Sequence, residues 1–153
     1  MQKLLLLMGL SLLALTSFSQ DATPERKKEF NLKDGLAIQG YDPVAYFTLG
    51  KAVKGDKNFS LYHQGVTYYF STTGNKETFK QAPAKYEPQY GGWCAYAMGA
   101  KGEKVEIDPK TFKVLNDKLY LFYNKFFTNT LTSWNKDEVN LKQQADKNWM
   151  KYK

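Results

Sequence analysis

Three side chains in this sequence offer soft or borderline metal donors at a spacing worth weighing: Cys94, Met98 and His63. Thiolate, thioether and imidazole together suit Cu(I). Met98 follows Cys94 by four residues, which puts both sulfurs on one face of a helix; on a strand the even spacing does the same. Tyr90-Gly91-Gly92-Trp93 lets the backbone turn tightly just before the thiol. The plainer alternative is that Cys94 and Met98 are adaptable core fillers beside Trp93 and Tyr96. A structural zinc site wants four Cys or His ligands. One chain offers two, and only a symmetric dimer would supply four.

Other chemistry is less well supplied. Cys94, His63 and Asp42 contain the groups of a thiolate nucleophile and its base, but their order matches no catalytic signature, and no enzymatic activity is expected. Glu103, Glu106 and Asp108 lie in a lysine-rich stretch and read as solvated. No phosphate loop, dinucleotide fingerprint or haem-attachment motif occurs. Tyr41, Tyr46, Tyr62, Tyr68, Tyr69, Tyr90, Trp93 and Tyr96 concentrate aromatic surface in the stretch 41–96. Such rings serve ligand contacts as well as cores.

The elements that must position these groups are legible from periodicity. Asp42-Pro43 predicts a helix start, with Asp as N-cap and Pro at the first helical position. Phe59–His63 and Val66–Phe70 flank Gln64-Gly65 as a hairpin. Ser71 or Thr72 caps a helix from about Gly74 to Gln81, which ends before Pro83. A second hairpin joins Thr111–Leu115 to Lys118–Tyr123 through Asn116-Asp117. Its second strand is apolar on both faces and so is expected to be covered on both. Lys125–Leu131 reads as a helix. Asn135 to Glu138 resembles a capping box that opens a last helix with the stripe Leu141, Ala145, Trp149, Tyr152. The expected fold is α+β: two hairpins forming one small antiparallel sheet, a short helix after the first hairpin, and one or two C-terminal helices.

The chain has 153 residues and a net charge of +7. Met1-Gln2-Lys3, the apolar run Leu4–Leu15 and the small residues Ser17 and Ser19 form a secretion-signal pattern over 1–19. The apolar run is shorter than the roughly 20 residues a membrane span needs. About 134 residues then remain, enough for one domain over 40–153, preceded by a polar and loosely held arm over 20–38. No transmembrane segment is expected after cleavage, and the expected location is periplasmic or secreted. There, nucleic acid is not an expected partner, and the excess positive charge favours anionic envelope components. With Cys94 as the single cysteine, no intramolecular disulfide can form.

Several segments together resemble the YHS domain family. They are Gly40-Tyr41-Asp42-Pro43-Val44-Ala45-Tyr46-Phe47, then Val66 to Phe79 with Tyr68-Tyr69-Phe70-Ser71, then Pro83-Ala84-Lys85-Tyr86, and Tyr90-Gly91-Gly92-Trp93-Cys94-Ala95. The compact module covers roughly Gly40 to Tyr86. Asp108-Pro109, Leu119 to Leu121 and Ala145-Asp146-Lys147-Asn148-Trp149 are similar to longer, exported relatives. The resemblance implies a binding module connected with heavy-metal handling, copper above all. Family members often carry cysteines where this chain has Ala45, Ser71 and Asn75, and a methionine where it has Phe47. The expectation is therefore an exported, non-enzymatic binding module. It would hold a soft metal ion such as copper through Cys94 with Met98 or His63. The alternative is a metal-free frame that uses its aromatic surface for a partner or small ligand.

Overall fold

Phe59 to Phe70 folds as the hairpin its alternation predicts. A computed structural model describes residues 24–153; the expected signal segment and the first residues of the expected arm lie outside them. In chain order the structure runs α1 (Pro24–Glu29), β1 (Leu32–Lys33), β2 (Leu36–Ala37), α2 (Ala45–Thr48), β3 (Asp56–His63), β4 (Val66–Phe70), α3 (Thr73–Gln81), α4 (Pro83–Tyr86) and α5 (Ala95–Ala100). It continues with β5 (Asp108–Leu115), β6 (Lys118–Phe122), β7 (Asn124–Lys125), β8 (Thr128–Asn129), α6 (Thr130–Lys136) and α7 (Glu138–Trp149). The fold is α+β, as expected. Among the described residues no helix is long and apolar enough to cross a membrane.

The two long hairpins do not share a sheet. The first lies in a four-stranded sheet of order β1-β2-β4-β3, while β5 and β6 pair only with each other. The reason is that β2 takes the free edge of β4, in parallel, at Leu36↔Thr67. A single bridge, Pro88↔Leu119, links β6 to the preceding segment.

That edge partner corrects a second expectation. The segment 24–38 is a docked element rather than a loose arm. Arg26 forms an ion pair with Glu87 and donates to the Gln64 carbonyl at 3.1 Å. Asn31 N–H donates to the Gly91 carbonyl at 2.8 Å, and Trp93 Nε1–H to the Glu29 carbonyl at 2.7 Å. Polar composition hid these contacts because most of them are made by backbone groups. Gly91 is what permits the approach. Its φ is +59°, and a Cβ there would sit 2.6 Å from the Glu29 carbonyl oxygen.

β6 is the wall between two apolar clusters. Leu119 and Leu121 face one, with Tyr46, Tyr68, Phe70, Phe79 and Cys94. Tyr120 and Phe122 face the other, with Met98, Trp134, Ala145 and Trp149. Leu119, Tyr120, Leu121 and Phe122 are all buried, each contributing roughly 1.5–3 kcal/mol of transfer free energy. The α7 stripe closes the second cluster as expected. Ala145 and Trp149 are buried, and Leu141 and Tyr152 pack on them.

The C-terminal helices start elsewhere than expected. Residues 125–129 are not helical, and the helix begins only at Thr130. Asn124–Lys125 and Thr128–Asn129 pair as a small hairpin, and Asn129 Oδ1 caps α6 by accepting from Leu131 N–H at 3.0 Å. That cap starts the helix five residues later than expected. Asn135 lies inside α6, so the box over 135–138 does not form. Glu138 instead binds Lys113 and accepts from Trp134 Nε1–H at 2.9 Å.

Candidate functional site

Two places hold the residues that the sequence singles out. The first is where the YHS resemblance would set three cysteines. Ala45, Ser71 and Asn75 do converge, but on the buried carboxylate of Asp42. Oδ1 accepts from the backbone N–H of Val44 at 2.9 Å and of Ala45 at 3.3 Å. Oδ2 accepts from Ser71 N–H at 2.8 Å, Ser71 Oγ–H at 2.6 Å and Asn75 Nδ2–H at 2.7 Å. The expected N-cap is thus also the hub joining α2, the end of β4 and the start of α3. Five donors around one carboxylate use its lone-pair capacity fully.

The second place is Cys94, the residue before α5. Its thiol is fully buried. Tyr123 N–H points at Sγ from 3.4 Å, and Thr130 Oγ1 stands 3.4 Å away. Because Thr130 Oγ1–H is committed to the Tyr123 carbonyl at 2.9 Å, the thiol is left as the donor toward Thr130. Cys94 N–H in turn donates to the Val105 carbonyl at 2.9 Å.

A partly open cavity of about 250 Å³ adjoins this thiol. Tyr96, Ala97, Val105 and Tyr123 supply its walls, and Cys94 backs it without exposing surface to water. Lys101, Glu103 and Thr128 form its rim. An apolar cavity of about 150 Å³ already accepts benzene, so this one has room for an aromatic ring. Its position follows from local chain chemistry. The turn at Tyr90, Gly91 and Gly92, all with positive φ, swings Trp93 and Cys94 inward. The hairpin β7–β8 then stands over the start of α5 as the facing wall.

The structure does not bring the expected metal donors together. Cys94 precedes the first helical residue and has ψ 115°, so the four-residue spacing does not align it with Met98. Cys94 belongs to the first cluster and Met98 to the second. His63 closes β3, where its ring packs edge-on against Phe79 at 5.9 Å. Burial holds its pKa below the usual value, opposed in part by Glu87. Among the described residues no three His, Cys, Asp or Glu side chains gather as a metal would require. Cys94, Met98 and His63 thus each pack in apolar surroundings of their own. A catalytic set of Cys94, His63 and Asp42 fails likewise, since Asp42 is enclosed by its five donors.

The three carboxylates are also separate. Glu103 stands on the cavity rim, Glu106 lies 3.7 Å from Lys125, and Asp108 accepts from Lys110 N–H and Thr111 Oγ1–H. The cavity itself, and Tyr123 and Thr130 as partners of the thiol, escaped sequence reasoning. Their only signal was that Cys94 stands beside a glycine turn. Comparison with family models, curated proteins and solved structures finds no match.

Proposed function

We propose that this chain is an exported, non-enzymatic binding module of YHS type that seats a ring-sized apolar group in the cavity beside Cys94. The observation that carries the reading is the cavity: largely apolar walls, room for a ring, and charged groups confined to the rim. That is the usual anatomy of a small-ligand site, at a volume just below the usual range. Further support comes from the Asp42 hub. Where the family resemblance implies soft thiolates, this chain places hydrogen-bond donors that a carboxylate has already engaged. The site then selects by shape and apolar contact, with Lys101 and Glu103 meeting any polar end of the ligand.

The test is an amide NMR titration of the reduced protein with indole. Saturable shifts at Tyr123, Thr128 and Val105, with Ser71 and Asn75 unmoved, are expected. Unperturbed cavity amides at millimolar indole would remove the reading. Cu(I) capture from a competing chelator that is lost in Cys94→Ser would replace it with the soft-metal alternative.

A further inference from the structure

The hairpin that walls the cavity ends in two phenylalanines that no described residue covers. Phe126 is 87% and Phe127 112% exposed. Both have positive φ, 50° and 62°. Two-residue hairpin turns of this kind favour Asn, Asp and Gly, because other side chains crowd the backbone in the left-handed region. The other hairpin turns largely follow that preference, with Asp34-Gly35, Gln64-Gly65 and Asn116-Asp117, all at positive φ. Among the described hairpin turns only the fourth carries two large apolar side chains, in a strained conformation and in water. Strain kept together with exposure at one spot points to a contact made there.

We infer that the Phe126-Phe127 tip is a knob for the Cys94 cavity of a second copy of this chain, the two copies exchanging tips about a two-fold axis. The inference rests on the cavity reading above and names its occupant. Knob and hole share one hairpin, since Thr128 on the rim follows Phe127 directly. A self-complementary contact in which each copy gives and receives is therefore available. The hole accepts a phenyl ring by volume.

Although the chain as a whole is positive, the charges next to the tip favour a second copy over an anionic surface. The rim and hairpin carry Lys101 and Lys125 against Glu103 and Glu106, a balanced set that a two-fold axis can pair lysine to glutamate. A patch for anionic lipid would be one-signed. Four phenylalanines, one ring of each tip in the hole and the other against its rim, bury at most about 600–1,000 Å² at roughly 150–250 Å² each. That lies at the low end for a specific complex, so the dimer is a weak, concentration-dependent one.

The experiment is sedimentation velocity of the protein over a wide concentration range, beside the double variant F126N/F127G. The variant installs the preferred turn residues, so it folds at least as stably while losing the knob. Wild type is expected to associate reversibly, and the variant to associate at least tenfold more weakly with an equal or higher melting temperature. Val105→Phe, which fills the hole, should weaken association similarly. A wild type that stays monomeric to millimolar concentration, or a variant that associates equally, overturns the inference. A monomer whose cavity still takes indole would leave the cavity reading standing. A monomer that binds no indole would remove both. Sedimentation of monomeric wild type, but not F126N/F127G, with vesicles of phosphatidylethanolamine and phosphatidylglycerol would assign the tip to a bilayer instead.

Discussion

The Asn75 side-chain amide donates to Asp42 Oδ2 across 2.7 Å, which ties the first turn of α3 to the entry of α2. Ser71 approaches the same oxygen. Positions that the YHS resemblance associates with soft-metal ligands thus serve here to solvate a buried carboxylate. Hydrogen bonds to a charged group contribute about 1.5–3 kcal/mol each, and an orphaned buried donor carries its own penalty.

Asn75→Ala should therefore destabilise the protein by about 1.5–3 kcal/mol. Asp42→Ala removes the hub for five donors and should cost more, about 3–5 kcal/mol. Urea unfolding of both variants measures this. Equal stabilities for the two, or losses under about 0.5 kcal/mol, would mean that the hub is not structural.

What the sequence made legible, and what it did not, divides along physical lines. The hairpins 59–70 and 111–122, the helix before Pro83 and the α7 stripe all show local periodicity, and all formed. The Asp42 cap was readable because Asp-Pro is a local signal. Its bonds to Ser71 and Asn75 were not, because they join residues 29 and 33 positions apart. The docking of 24–38 was hidden for the same reason. Its anchors are backbone carbonyls at Gly91 and Glu29, which no side-chain pattern encodes. Met98 was placed wrongly against Cys94 because the helix begins one residue after the cysteine.

Trp149 closes the second cluster against Tyr90 at 6.2 Å and Tyr152 at 5.6 Å between ring centroids. Trp149→Ala should cost about 3–5 kcal/mol. Calorimetry should show a fall in melting temperature of roughly ten degrees or more. A fall of one or two degrees would mean that α7 contributes little to the docked core.

Glu138 gives the C-terminal helices a pH dependence. The hydrogen bond from the Lys113 ammonium, joined by that from Trp134, holds its carboxyl below the usual carboxylate range, against the opposing effect of burial. The unfolded chain binds this proton more readily than the folded one, so stability rises with pH through that window. The contribution is complete above the unfolded carboxyl pKa and is lost as pH falls through the folded one. Glu138→Gln should flatten the corresponding part of the stability–pH curve between about pH 5 and pH 3. An unchanged slope there would show that the Lys113–Glu138 pair does not persist in solution.

The most direct measurement on the cavity is a crystal structure of F126N/F127G soaked with iodobenzene, whose anomalous signal locates the ring without reference to the protein. The expected result is an iodine peak enclosed by Ala97, Val105 and Tyr123, beside an unmodified Cys94 and with the Asp42 hub unchanged. A cavity without that peak, in crystals that bind iodobenzene elsewhere, would contradict the assignment of this site to a ring-sized apolar group.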